Sequence, residues 1–298
     1  MEYLIGIDIG ATNTRVAVVN SRGQIITTTR FPSQMSLGEP FFQEVSKVAT
    51  QLAKEHHAVA VGVGSAGQID QKTGSYLPGL YPNAPWVGIP LQDLIATATG
   101  LPTFVDNDCK ISAYAELKVG LGQGIQDFVS LTLGTGLGGG IISNGQLIHG
   151  ANGVAGHVGH LSLDPLGPPC ACGNRGCLEL YVSGTAIAKQ ASQAFQEELS
   201  SPEVFQRATQ GDQTAEKIIK NAGEALGRGL GSLANLLNPQ RFILGGSILE
   251  WYSLLEPSIQ ASFQASAMNG LQDTPIFCSQ LGGNGGIIGA ALFAWDQL

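Results

Sequence analysis

Apolar positions divide the chain into strands and helices before any chemistry is considered. "YLIGIDIG" and "TRVAVVN" read as two β runs joined by a turn, and "RGQII" begins a third. From Phe41 to Glu55 the apolar residues recur at helical spacing, and the buried-strand run "AVAVGVG" follows. "LQDLIATATG" predicts a short helix closed by a C-cap glycine, "PTFVDND" a strand running into a polar turn, and "CKISAYAELKVG" a helix. "DFVSLTLGTGLGGGIISNGQLIHG" reads as strand, glycine-rich turn, strand, Asn-Gly turn, strand. Residues Thr185 to Leu237 are mostly helical, "RFILGG" is a late strand and "GGIIGAALFAW" a terminal helix.

The pattern contains an echo. "LIGIDIGATNTRVAVVNSRGQII" and "FVSLTLGTGLGGGIISNGQLI" share a hairpin with a Gly/Thr turn at its tip. Two domains opening on the same hairpin, each offering a backbone-rich loop, suggest a cleft clamped around a polyphosphate. The boundary is expected near residues 108 to 120, with no low-complexity linker.

Composition narrows the class. At 298 residues the chain is long enough for two domains, each with its own core. A net charge of −8 and the lack of a basic run argue against a nucleic-acid partner. No apolar segment approaches the roughly 20 residues of a membrane span. The opening "MEYLIGIDIG" has no basic region ahead of its apolar run, so no signal peptide is expected. Five cysteines, three of them clustered, fit metal binding in a reducing cytoplasm better than a disulfide framework.

Three loops suit phosphate. In "DIGATN", Asp8 ends an apolar strand and Gly10, Ala11 and Thr12 form the turn. Small residues let backbone N–H groups approach an anion, Thr12 adds a hydroxyl, and Asp8 is placed to hold Mg²⁺ through water. An ordinary hairpin with an acid in its turn would look the same. "LGTGLGGG" (133–140) is neither a Walker A loop, having no Lys-Ser/Thr, nor a dinucleotide fingerprint, since an extended hairpin follows it. "ILGGS" (243–247) again sets glycines at a strand's carboxyl end, where ligands of such sheets bind.

Polar chemistry concentrates in two further stretches. "FVDNDCKISAYAEL" ends a strand at Asp106, Asn107 and Asp108, more polar side chains than one helix cap requires. Asn can bind a polyol as donor and acceptor, and a carboxylate can accept a hydroxyl proton. The helix dipole should keep Asp108 ionised and a weak base, which phosphoryl transfer tolerates because positioning dominates it. In "AGHVGHLSLDPLGPPCACGNRGCLEL", His160, Cys170, Cys172 and Cys177 supply the four ligands of a closed, structural Zn²⁺ site, with His157 a competing ligand. Such a metal would be a frame that aims His160 and Glu179 at a substrate.

Taken together, these residues resemble the ROK family of bacterial sugar kinases and repressors, on the two-domain α/β hexokinase/actin-like ATPase (ribonuclease H-like) fold with an interdomain cleft. The resemblance rests on "DIGATN", "GVGSAGQID", "VDNDCKISAYAE", "LGTGLGGG", "AGHVGH", "CACGNRGCLE", "NPQRFILGGS" and "LGGNGGIIGAA", in family order. It implies a small N-terminal domain of residues 1–112, completed by a terminal helix at about 287–298, and a larger domain of 113–286 carrying the zinc loop. Asp108 would be the base on the sugar 6-hydroxyl, Asn107, His160 and Glu179 would bind other hydroxyls, and Gly67 would approach the sugar. Asp8, Gly10 and Thr12 would serve the Mg-ATP phosphates, and Gly134, Thr135, Gly136, Gly245 and Gly246 the nucleotide. A homodimer or homotetramer is implied as well.

The chain departs from the family pattern in three places. Ala11 and Asn13 replace the second Gly and the Lys of the first loop, and Cys109-Lys110 replaces the usual Ala-Asn. His157 replaces the Glu that contacts the sugar near O1 and O2, as it does in the family's N-acetylmannosamine kinases. A hexose or N-acylhexosamine 6-kinase, with glucose or N-acetylmannosamine as substrate, is the leading expectation. A sugar-sensing repressor would need an N-terminal helix-turn-helix, for which the strand beginning by Tyr3 leaves no room. A non-catalytic sugar binder would be expected to lack Asp108.

Overall fold

The computed structural model describes residues 2–298. In chain order, β1 (Tyr3–Ile9), β2 (Asn13–Asn20) and β3 (Ile25–Pro32) precede α1 (Glu39–His56). Then come β4 (Val61–Ser65), the short β5 (Ile69–Asp70) and β6 (Ser75–Tyr76), α2 (Leu91–Thr99), β7 (Thr103–Asn107) and α3 (Asp108–Val119). β8 (Phe128–Leu133), β9 (Leu137–Ser143) and β10 (Gln146–Leu147) follow. A helical stretch holds α4 (Glu179–Val182), α5 (Gly184–Phe195), α6 (Ser201–Thr209) and α7 (Gln213–Leu237). β11 (Arg241–Gly245), α8 (Tyr252–Ser266), β12 (Ile276–Cys278) and α9 (Gly285–Trp295) complete the order.

The chain forms two compact units. One holds the residues up to Gln126 together with Gly140–Gly156 and Ser279–Leu298, and the other holds Asp127–Gly139 and His157–Cys278. The first unit therefore continues past residue 112, because α3 packs along α9 and keeps the chain there to Gln126.

The first unit is built on a five-stranded sheet of order β3-β2-β1-β4-β7. β1, β2 and β3 form an antiparallel meander, and β1, β4 and β7 run parallel. One face is covered by α1 and α2, whose apolar stripes bury Phe41, Phe42, Val45, Leu91 and Ile95 against the strands. The other face takes α9, which is apolar all round and buried from Gly285 to Ala294, as a helix packed on two sides must be. It lies close because the strands below carry Gly6 and Gly62, where a Cβ would overlap carbonyls of Ile287 and Ala290. Asn144 and Gly145 turn the chain between β9 and β10 with φ of 50° and 70°, the left-handed pair expected of an Asn-Gly hairpin.

In the second unit β11 pairs in parallel with β8 and β12. The 25-residue α7 is capped by the Asp212 side chain, which accepts from the amides of Thr214 and Ala215, and its apolar stripe packs on α8. No described helix is long and apolar enough to cross a membrane.

Candidate active site

In the first unit, parallel pairing aligns the carboxyl ends of three strands: Asp8 of β1 lies level with Gly64 of β4, and Gly64 with Asp106 of β7. Asp8, the Ser65–Gly67 turn and the Asn107-Asp108 pair consequently share one edge of the sheet. Asn107 is the cap of α3, its Oδ1 accepting from the amides of Cys109 and Lys110 at 3.0 and 3.2 Å. Its Nδ2 donates to the Gly67 carbonyl at 3.0 Å and to Asp108 Oδ1 at 2.9 Å. Gly67 sits at φ 110°, a conformation open to glycine, with Tyr76 against its missing side chain.

Asp108 opens α3, and its Oδ1 also accepts from the Cys109 amide at 2.9 Å. Burial, and secondarily the carboxylate of Asp8, push its pKa up to about 6, against the pull of those hydrogen bonds. The expectation of a weak base held ionised by the helix dipole is thereby corrected: the dipole is present, but burial and a like charge outweigh it. A carboxyl titrating near 6 is a far better proton acceptor at neutral pH than an ordinary aspartate.

Asp8 is ion-paired with Arg15, Nη2 to Oδ2 at 2.7 Å, across the β1–β2 hairpin whose register sets the two residues opposite each other. Burial raises its pKa against that pairing. Its carboxylate also lies against Gly286 in the first turn of α9, so close that a Cβ there would be 2.7 Å from Asp8 Cγ. Asp8 and Asp108 thus lie beside the amino ends of α9 and α3, where the helix dipoles offset part of their negative charge. The Gly10 amide closes the turn on the Asn13 carbonyl at 3.0 Å, so the turn itself uses that donor, while Thr12 is exposed.

The second unit gathers the glycine loops and the cysteines. Gly245 of β11 lies level with Thr132 of β8, and Gly246 rests on Leu133 so closely that a Cβ would overlap its carbonyl. Gly134, Thr135 and Gly136 are held from the amino end of α5: the Gly184 amide donates to the Gly134 carbonyl at 2.8 Å, and the Thr185 hydroxyl to that of Thr135 at 2.8 Å. Glu179 reaches the same loop. Its Oε2 accepts from the Leu137 amide at 2.8 Å, and a Cβ on Gly136 would stand 2.6 Å from that oxygen.

Of the two histidines, His160 joins Cys170, Cys172 and Cys177, their ligand atoms all within 4.8 Å of one another. Its Nδ1 lies 3.6 Å from Cys170 Sγ, and Cys172 and Cys177 are 3.5 Å apart, Sγ to Sγ. Ligands about 2.3 Å from a tetrahedral Zn²⁺ lie roughly 3.8 Å apart, so the four donors fit that ion. Burial and the neighbouring sulfurs push the Cys177 thiol up to about 12, whereas the Asn174 amide draws Cys172 down. His157 stands beside the set, its ring centroid 6.3 Å from that of His160.

The structure thus collects Asp8, Gly67, Asn107 and Asp108 in one unit, and His157, His160, Glu179, both glycine loops and the cysteines in the other. Sequence reasoning missed Arg15, the Gly184–Thr185 support, and a buried Asp106–Lys110–His149 cluster. Only Arg15 had a readable signal, since a tight hairpin after Asp8 must bring a residue near position 15 opposite it.

The strand order β3-β2-β1-β4-β7, with helices on both faces, is that of the actin-like ATPase fold. The sequence profile of the ROK family matches residues 4–297, and the chain belongs to that family. It is 32% identical to a glucokinase of Halalkalibacterium halodurans, covering 99% of this chain and 96% of the relative. It is also 32% identical to an N-acetylmannosamine kinase of Yersinia pestis, over 99% of both chains. Among solved structures, a ROK glucokinase from Streptomyces griseus in complex with glucose and AMPPNP superposes with a TM-score of 0.86 at 33% identity, again over 99% of both.

Proposed function

We propose that this protein is an ATP-dependent sugar kinase that phosphorylates the 6-hydroxyl of a hexose or N-acylhexosamine. The observation that carries the reading is Asp108, a carboxyl at the amino end of α3 with its pKa near 6, on the sheet edge that also presents Asp8. At neutral pH Asp108 is ionised and accepts the proton of the 6-hydroxyl as the oxygen attacks the γ-phosphorus. The O6–P bond forms, the bond from that phosphorus to the β-γ bridging oxygen breaks, and ADP leaves with its electron pair. Little covalent work is asked of the protein beyond alignment and charge.

Asn107 and Gly67, already bonded to each other, orient hydroxyls near O6. Asp8, Gly10 and Thr12 are assigned to the Mg-ATP phosphates, with Arg15 supplying the positive charge that the substituted Lys of the first loop would have brought. Gly134, Thr135, Gly136, Gly245 and Gly246 are assigned to the nucleotide. His160, Cys170, Cys172 and Cys177 would hold a Zn²⁺ ion, which would supply rigidity to the loop. With Nδ1 of His160 turned to Cys170, Nε2 is the ring nitrogen left for a sugar hydroxyl. Glu179 is assigned to the sugar through its Oε1, its Oε2 being engaged by Leu137.

The two relatives above are equally similar to this chain, so overall identity does not choose the sugar. His157 favours N-acetylmannosamine: a neutral imidazole donates as well as accepts, which suits an acetamido carbonyl, and its faces tolerate the methyl. A coupled ADP-release assay with glucose, mannose, fructose, N-acetylglucosamine and N-acetylmannosamine, run with ATP and with polyphosphate, tests the reading. Sugar-dependent ADP formation is expected, highest with N-acetylmannosamine, and no turnover with any of the five would refute it.

A further inference from the structure

Behind the Asn107-Asp108 turn lies a charged cluster that none of these assignments uses. Asp106 and Lys110 are 1% and 2% exposed, and His149 reaches Asp106 from the segment after β10. His149 Nε2 lies 2.6 Å from Asp106 Oδ2, and Lys110 Nζ lies 3.8 Å from Oδ1. The same Oδ1 accepts from the Asn107 amide at 2.7 Å. Lys110 also donates to the carbonyl of Gly153, 43 residues away in sequence.

A buried ammonium is a poor choice if only packing were needed. Its desolvation is costly, and an apolar residue of similar volume often serves stability as well or better. Burial does depress the pKa of Lys110, against the pull of Asp106. The cluster has a geometric consequence that an apolar residue could not provide. Residues 150–156 form a loop closed by the Ala155 amide on the His149 carbonyl at 2.9 Å. Gly153 at its tip lies against Ile69, whose carbonyl would be 3.2 Å from a Cβ there, two residues beyond Gly67. The loop runs directly into His157. One carboxylate therefore fixes the Asn107 amide on one side and, through His149 and Lys110, the loop on the other.

We infer that Asp106, Lys110 and His149 are positioning residues that hold the 150–156 loop against the sugar-facing turns, and that they govern sugar affinity without taking part in phosphoryl transfer. This rests on the sugar-kinase reading. The test compares Lys110→Met, which keeps volume and removes charge, with His149→Leu and His149→Gln, the last retaining an N–H donor at similar reach.

In steady-state assays with the best sugar, Lys110→Met and His149→Leu should raise the sugar KM at least tenfold, with kcat within about threefold and the ATP KM unchanged. His149→Gln should restore the sugar KM to within about threefold of wild type. Hydrogen exchange should show amide protection lost across 150–156 in the first two variants and kept in the third. A sugar KM within twofold of wild type in both disabling variants would overturn the inference, as would a loss of kcat alone. The His149 pair decides the matter if Lys110→Met does not fold. If wild type phosphorylates no sugar, the kinase reading fails, and exchange across 150–156 still tests the loop claim separately, unaltered protection overturning it.

Discussion

Asp108→Asn separates catalysis from stability, because the two should move in opposite directions. The introduced asparagine can keep the bonds that Asp108 Oδ1 makes to the Cys109 amide and Asn107 Nδ2, so the start of α3 should stay intact. A carboxyl titrating near 6 instead of 3.8 loses on the order of 2–3 kcal/mol when ionised in the fold. The sign follows from the raised folded value. The protonated form is favoured in the fold, so the contribution to stability is full below pH 3.8 and is lost as pH rises through about 6. Because an asparagine never ionises, the substitution should raise Tm by a few degrees at pH 8 and by nothing near pH 4. Turnover should meanwhile fall by roughly 10²–10⁴-fold, with sugar binding retained, the usual range for a positioned acid–base group. Calorimetry at both pH values and a coupled assay on the same preparation provide the readouts. Turnover within tenfold of wild type would remove Asp108 as the base. A lower Tm at pH 8 would refute the claim that its charge is strained.

The wild-type pH profile of kcat/KM for the sugar should show an acid limb near pH 6, since only ionised Asp108 accepts the proton, and this limb should be absent from the residual activity of Asp108→Asn. Cys172→Ser should lose zinc, thermal stability and sugar affinity together. Elemental analysis should find close to one zinc per wild-type chain, and less than about half after metal-replete purification would count against a structural site. His157→Glu should shift the ratio of kcat/KM values at least tenfold from N-acetylmannosamine toward glucose, one mismatched polar contact being worth about 1–3 kcal/mol. A wild type that strongly prefers glucose would end the donor argument.

Strongly periodic segments were legible in the sequence, and segments whose pattern is broken or brief were not. β1, β4, β7 and β8 announce themselves as apolar runs, and α2 by its glycine at the left-handed C-cap, φ 72° at Gly100. α8 was invisible because Pro257 interrupts a weak apolar stripe, and β5, β6 and β12 are too short to show a period. The site followed the same logic. His160 and the cysteines lie within one short stretch, so spacing alone suggested a metal. Glu179 reaching the Leu137 amide, and Lys110 the Gly153 carbonyl, join residues 42 and 43 positions apart. Only the folded topology brings such partners together. The character of Asp108 is not legible in the sequence for the related reason that its burial, and the approach of Asp8, are tertiary facts.

The most direct measurement is the identity of the product. Purified protein, Mg-ATP and N-acetylmannosamine, with glucose in parallel, should yield ADP and a phosphosugar in equal amounts. Phosphorus–proton correlation NMR should place the phosphate on O6. A phosphate on any other oxygen, or ADP formed without phosphosugar, would contradict the assignment of Asp108 as the base on the 6-hydroxyl.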